Sequence, residues 1–137
     1  MTNLETRRFA IDAITALRIV RDDPGIGARH RLVGPAILRS HVLSMLYREV
    51  RAGTLDEASA RAQLDGLAGL KIRLLGDRVS RATAWKIARQ LDWDDTSSAE
   101  YLAVASLQAD ALVAGDPTIA AAASGIVPLA TYDSLRA

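Results

Sequence analysis

Short apolar runs alternate with longer segments of helical periodicity along most of this sequence. The longer segments place apolar residues three or four positions apart, as Leu38, Val42, Met45 and Leu46 are, which is typical of a helix with one buried face. The short runs are rich in Val, Ile and Leu and are bounded by Gly, Pro or Asp, as buried strands are. Strands that alternate with helices predict a parallel sheet flanked by helices on both faces, a three-layer α/β/α arrangement.

The pattern divides residues 1–137 into elements of a single domain, without a linker or an internal repeat. The predicted strands are 9–12, 30–35, 70–76, 110–116 and 125–131. The predicted helices are 13–20, 36–51, 54–67, 80–93, 97–109 and 117–123. Gly53 predicts the end of the second helix. Thr54, with Glu57 three residues later, predicts a capping box at the start of the third, and the fourth is expected to begin near Ser80.

Two apolar strands about a hundred residues apart both end on an aspartate, at Asp12 and at Asp116. In a parallel sheet the carboxyl ends of the strands share one edge, and ligands bind there. If the two strands are neighbours, two carboxylates are crowded together, which is unfavourable unless a cation lies between them. The pair therefore predicts a divalent metal site. The alternative is that each aspartate is a helix N-cap, a role that is compatible with metal binding.

Composition limits the class of protein. Hydrophobic residues make up 50% of the chain and charged residues 24%, as in a folded globular domain. The polar N-terminal segment lacks the apolar core of a signal peptide, and no apolar run is long enough to span a membrane, so a cytoplasmic location is expected. The chain has no cysteine, which excludes disulfides, thiolate metal sites and cysteine nucleophiles.

The net charge of +1 conceals an uneven distribution. Up to Arg89 the chain has 16 basic and 9 acidic residues, whereas from Gln90 onward it has one basic and seven acidic residues. This fits a phosphate-binding surface beside a cluster of metal-binding carboxylates, and it also fits ordinary solvated surface with a bias towards arginine. Arg78 and Arg81 could bind phosphate at a helix N-terminus, or they could belong to a loop capped by Ser80.

The order of these features resembles that of the PIN-domain ribonucleases, and in particular the VapC-type toxins of bacterial toxin–antitoxin pairs. Members of that family typically open with a strand that ends in Asp, as at Asp12. They end the fourth strand on Asp after an apolar run, as Asp116 ends "ALVAGD". The segment "SAEYLAVA", residues 98–105, matches a family helix in length, in Tyr101 and in the spacing of small residues. The resemblance covers nearly the whole chain and implies a PIN-like three-layer α/β/α domain.

Two of the four acidic residues that the family usually carries are replaced in this sequence. His41 stands at the position of the second acid, six residues after Pro35, and Ser98 stands at that of the third. Glu100 is the expected substitute for the third acid, although positions two apart do not share a helix face. We therefore expect Glu100→Gln to abolish metal-dependent RNA cleavage and Ser98→Ala to do much less.

Other side chains are candidates for supporting roles. Asp95, together with Asp94, is the reserve acid upstream of the helix. His41 could bind the metal, which would favour Mn²⁺ over Mg²⁺, or act as a base, or it could be a packed or surface histidine. Arg39 could contact phosphate or lie on solvated surface. Ser98 could cap its helix or bind a metal-bound water.

The resemblance implies a metal-dependent endoribonuclease. In that reaction Asp12, Asp116 and Glu100 would hold Mg²⁺ or Mn²⁺, and the metal would activate a water that attacks RNA. A small antitoxin protein is the implied partner. The missing acids motivate an alternative, a catalytically weak or inactive PIN scaffold that acts by binding a partner protein or RNA. A receiver domain or a haloacid-dehalogenase-type phosphatase is disfavoured, because the first strand is not followed by Asp-x-Asp or by paired acids.

A homodimer is also expected, because members of the family usually pair. Leu55, Leu64, Leu67 and Leu70 lie near one another along one predicted helix and its exit. We expect them to form an apolar patch that is buried between the two subunits.

Overall fold

The structure, a computed structural model, describes residues 7–136. In this range one sheet contains four parallel strands in the order β3-β2-β1-β4. The strands are β1 (Arg8–Ile11), β2 (Arg31–Pro35), β3 (Arg73–Leu75) and β4 (Ala111–Val113). The helices are α1 (Ala13–Asp22), α2 (Ile26–Arg29), α3 (Leu38–Arg51), α4 (Glu57–Gly69), α5 (Arg78–Gln90), α6 (Ser97–Gln108), α7 (Pro117–Ala122) and α8 (Asp133–Arg136).

Helices flank the sheet, and the predicted three-layer α/β/α class is confirmed. Helix α6 lies against β1 and β2, and α5 packs on α6. Helices α1, α3 and α4 pack against one another. One core of buried apolar side chains joins these layers, with Ile11, Leu102 and Leu112 among its fully buried members. Within the described residues no helix combines the length and the hydropathy that a membrane crossing requires.

The strand order creates a switch point between β1 and β4. The chain adds β2 and β3 on one side of β1 and then returns to place β4 on the other side. Ile11 is paired with Val113 across this junction, so the first and fourth strands are neighbours, which is the condition on which the predicted metal site depends. In open parallel sheets ligands bind in the crevice at such a point, beyond the carboxyl ends of the strands. Asp12 and Asp116 follow these two strands.

Two helix starts differ from the prediction. The N-cap of α4 is Asp56 rather than Thr54, and its carboxylate accepts the Ser59 N–H at 3.0 Å. The N-cap of α5 is Asp77 rather than Ser80. In both cases an aspartate was available nearby, and a carboxylate interacts more favourably than a neutral hydroxyl with the positive end of a helix. The predicted capping box and the Ser80 cap are therefore wrong.

The predicted strand 125–131 is also wrong. Only an isolated bridge joins Leu129 to Leu112, and Leu129 is 53% exposed. Pro128 has no N–H to donate, which limits the pairing that this segment can make. By contrast, the predicted end of α3 is confirmed, since Gly53 has a φ of 79°, a conformation that favours glycine.

The four leucines predicted to form an intersubunit patch lie inside the fold. Leu67 and Leu70 are buried, and Leu55 and Leu64 are partly buried against the core. The reason is that α4 packs on α1 and α3, which the local pattern did not reveal. The homodimer remains a prediction without this patch as its basis.

Candidate functional site at the carboxyl edge of the sheet

Asp12 is a buried carboxylate, 1% exposed, that is held by backbone N–H groups. Its Oδ1 accepts from Thr15 at 2.9 Å and from Gly115 at 3.1 Å, and its Oδ2 accepts from Asp116 at 2.8 Å. The first bond caps α1, and the other two join the end of β1 to the loop after β4. An ionised carboxylate has roughly four acceptor positions, so the backbone already uses most of this group's capacity.

Gly115 allows the loop after β4 to approach Asp12. A Cβ at this position would lie 2.5 Å from Cγ2 of Ile14, so a larger residue would push the loop away from α1. The Thr15 hydroxyl adds a second connection, because it donates to the carbonyl oxygen of Val113 at 3.0 Å. These contacts fix where Asp116 begins α7.

Asp116 is the N-cap of α7 and is half-buried. One carboxylate oxygen accepts the Thr118 N–H at 2.8 Å. Its other oxygen accepts no hydrogen bond from any residue between 7 and 136. Both aspartates are therefore helix N-caps, as the alternative interpretation proposed, and both also lie at one cavity.

The cavity has a volume of about 440 Å³ and opens between α1, α3, α6 and α7. Its polar lining combines the two aspartates with hydroxyls, one imidazole and one guanidinium. These residues are Asp12, His41, Ser44, Arg48, Ser97, Ser98, Tyr101 and Asp116.

His41 and Tyr101 form a hydrogen-bonded pair in this cavity. The distance from His41 Nδ1 to the Tyr101 hydroxyl is 2.6 Å, and the two rings are stacked with centroids 5.5 Å apart. Burial raises the pKa of Tyr101, and the negative charges of Asp12, Glu100 and Asp116 raise it further. The phenol therefore keeps its proton at neutral pH. We assign it as the donor to Nδ1, which places the hydrogen of a neutral His41 ring on Nε2.

Three of the predicted site residues do not line the cavity. Glu100 lies two positions beyond Ser98 on α6, which is about 200° around the helix, and only Ser98 is in the lining. The Asp95 carboxylate accepts the Ser97 N–H at 2.9 Å and so closes a turn at the start of α6. Arg39 is exposed. The negative charge of Glu100 still acts on the site, because it helps to raise the pKa of Tyr101.

The expected set of three carboxylates for Mg²⁺ or Mn²⁺ is not assembled. Within residues 7–136 no three His, Asp or Glu side chains lie close enough to share a metal ion. Asp12 is largely engaged by N–H groups, and Nδ1 of His41 is engaged by Tyr101. These donors do not fit a metal centre that the protein builds alone, since such a centre needs several oxygen ligands.

Ser44 and Arg48 were not predicted as site residues. They lie three and seven positions after His41 on α3, and residues with this spacing share one face of a helix. The signal was therefore present in the sequence once His41 was considered as a cavity residue.

No family model and no curated protein matches this chain. Among solved structures, the chain is similar to one described as the crystal structure of PAE2754 from Pyrobaculum aerophilum. The TM-score is 0.75 and the identity 20%, over 97% of this chain and 95% of that chain. At this level of identity the similarity supports the three-layer α/β/α fold alone.

Proposed function

We propose that this chain is a PIN-like scaffold of the VapC type that binds single-stranded RNA, and that its metal-dependent cleavage is weak or lost. One observation carries the proposal. At the switch point, the positions of the two missing acids hold His41, which is bonded to Tyr101, and Ser98. A lining of this kind offers hydrogen-bond donors to a phosphate and few oxygen ligands to a cation.

The cavity lining suits an RNA backbone. Nε2–H of His41, the hydroxyls of Ser44 and Ser98, and the guanidinium of Arg48 can donate to phosphate oxygens. The second carboxylate oxygen of Asp116 can accept from a ribose 2′-hydroxyl, the group by which proteins distinguish RNA from DNA. We therefore expect RNA to bind more tightly than DNA of the same sequence.

Helix α5 provides an adjoining surface for single-stranded nucleic acid. It packs on α6 and contains no acidic residue, while Arg78, Arg81, Lys86 and Arg89 are all exposed. None of the four forms an ion pair with another described residue. Trp85 is 65% exposed on the same helix. Exposed cations around an exposed aromatic ring are typical of surfaces that neutralise phosphates and stack bases.

Fluorescence anisotropy with a labelled single-stranded RNA in EDTA tests this proposal. Because stacking of one base contributes roughly 1–3 kcal/mol, Trp85→Ala should weaken binding about fivefold or more. Tyr47→Ala is the matched control, since Tyr47 is a 63% exposed aromatic residue on α3, and it should leave affinity unchanged. Four phosphate contacts predict a salt slope near −3. Absence of binding in EDTA, or equal losses in both variants, would refute the proposal.

The second candidate function is the metal-dependent endoribonuclease itself. One observation favours it, since Asp12 and Asp116 lie together at the switch point and line one cavity. Mg²⁺ can be held by one or two carboxylates when waters and substrate phosphates complete its coordination. Under this function RNA is cleaved in Mn²⁺ but not in EDTA, and Asp116→Asn abolishes the cleavage.

An antitoxin partner and a homodimer belong to the proposal on the basis of the family resemblance, and the cytoplasmic location expected from the sequence is kept as part of it. Co-purification with the product of an adjacent small open reading frame tests the antitoxin. Sedimentation at micromolar concentration tests the dimer, and a monomer would count against it.

A further inference from the structure

A second cavity lies at the amino edge of the sheet, opposite the candidate site. Strands β1, β2 and β3 each begin with an arginine, namely Arg8, Arg31 and Arg73. Arg8 is the register partner of Arg31, and Arg73 pairs with Val33, two residues after Arg31. Side chains alternate along a strand, so these three arginines project from the same face of the sheet.

The three arginines line a cavity of about 700 Å³ together with Arg29, His30 and Lys71. We call this space the basic cavity. None of the described Asp or Glu residues lines it. Arg29 is paired with Asp23 at 2.7 Å, whereas the other four cationic side chains form no ion pair within residues 7–136.

His30 has an unsatisfied polar atom in this region. Its Nε2 is buried and has no hydrogen-bond partner in the described part of the chain, while its ring packs edge-on against Phe9 with centroids 5.4 Å apart. Buried polar atoms without a partner are uncommon in folded proteins. Like charges on paired positions of adjacent strands are also unfavourable. A bound anion would offset the repulsion among the arginines.

We propose that the basic cavity binds the phosphate groups of a nucleotide-sized ligand, of the chemical class of nucleoside polyphosphates. Arginine forks match phosphate oxygens in bidentate geometry. The volume lies within the range of small-molecule sites, roughly 300–1,000 Å³. Leu70 and Ile72 also line the cavity and give a base or a sugar an apolar surface. This inference is independent of RNA binding at α5, because the two surfaces share no residue.

Titration calorimetry with ATP and with inorganic pyrophosphate, both without metal, tests the proposal. The double variant Arg31→Gln/Arg73→Gln should weaken ATP binding at least tenfold. The matched control is Arg51→Gln/Arg61→Gln, which removes the same charge from exposed positions on α3 and α4 and should change affinity less than twofold. The ligand-free melting temperature of the first variant should equal or exceed that of the wild type, because mutual repulsion has been removed.

A second variant keeps the test decisive if the arginine variant does not fold. Lys71→Gln removes one exposed cation from the cavity lining, so it should lower ATP affinity without lowering the ligand-free melting temperature. Failure of wild-type protein to bind either probe at millimolar concentration would overturn the proposal. Equal weakening by the cavity variant and the control would overturn it too, since that result indicates only non-specific charge.

Binding of a short RNA with hydroxyl ends shows whether the phosphate in the basic cavity comes from a free nucleotide or from an RNA backbone. If Arg31→Gln/Arg73→Gln weakens ATP binding and leaves RNA binding unchanged, the ligand is a free nucleotide. If it weakens both to the same extent, the cavity binds backbone phosphates of RNA. Trp85→Ala should leave ATP binding unchanged, so the failure of one proposal can be told from the failure of the other.

Discussion

The two edges of the sheet differ in whether their polar side chains have partners within the protein. At the carboxyl edge Asp12 accepts three backbone N–H groups, His41 is bonded to Tyr101, and Asp116 caps α7. At the amino edge four cationic side chains and Nε2 of His30 have no such partner within residues 7–136. The edge that resembles an active site is therefore the more self-contained of the two.

The difference between the two edges indicates which polar groups stabilise the fold and which are available to bind a ligand. A polar group that the protein satisfies is fixed in place, but it has little capacity left for a ligand. A polar group that the protein leaves unsatisfied has a cost that only a ligand or water can offset. The carboxyl edge is accordingly a structural junction, and the amino edge is the one where polar groups remain available, which is why we propose that an anion binds there.

The largest expected effect is the loss of stability on removing Asp12. In Asp12→Ala three backbone N–H groups lose their acceptor, and each buried unsatisfied group costs roughly 1–3 kcal/mol before water enters, so we expect about 3 kcal/mol in total. Urea denaturation at neutral pH measures the change. Asp116→Ala is the comparison, because loss of one N-cap costs about 1 kcal/mol. Equal effects of the two substitutions would show that Asp12 is not the junction described.

A smaller effect is expected from Tyr101 at alkaline pH. Its pKa is raised above the ordinary 10.0 in the folded protein, so above pH 10 the unfolded chain releases a proton that the folded chain keeps. Stability should therefore fall as pH rises above 10, by up to about 1.4 kcal/mol per pH unit from this residue.

In Tyr101→Phe the stability should fall less steeply above pH 10, because the contribution of Tyr101 is absent. Urea denaturation midpoints at pH 10 and pH 11 measure this slope. Tyr132, whose pKa is also raised by burial and by Asp22, contributes equally to both proteins. An unchanged slope in the variant would mean that Tyr101 titrates in the folded state as it does in the unfolded chain.

Substitution of Glu100 should have the smallest effect on stability and on RNA affinity. Because it does not line the cavity, Glu100→Gln should change stability by less than about 0.5 kcal/mol and leave RNA affinity unchanged. Its charge helps to raise the pKa of Tyr101, so a spectrophotometric titration of the variant should show that pKa slightly lowered. Loss of a metal-dependent activity in this variant would restore Glu100 as a third ligand.

The sequence predicted most of the fold because apolar periodicity is a local signal. The adjacency of Asp12 and Asp116 was also predictable, since parallel strands bring their carboxyl ends to one edge. The bonds from the Gly115 and Asp116 N–H groups to Asp12 were not, because they join residues 103 and 104 positions apart. They depend on a close approach of backbone that no local pattern encodes.

The remaining features depend in the same way on which elements meet. Tyr101 belonged to a visible motif, but its partner His41 lies 60 residues away on another helix. Arg8, Arg31 and Arg73 each begin a strand, yet they form a cluster only because β1, β2 and β3 are consecutive in the sheet. Glu100 is different, because its separation from Ser98 around α6 follows from helix geometry alone and was predictable from the sequence.

Single-turnover incubation of a labelled single-stranded RNA with excess protein, in Mn²⁺ and in EDTA, tests the central claim most directly. The account predicts that the RNA is bound with the same affinity under both conditions and remains intact, or is cut only slowly, in Mn²⁺. Rapid cleavage in Mn²⁺ that is absent in EDTA and abolished by Asp116→Asn would contradict it, and would show that two carboxylates suffice for an active metal site.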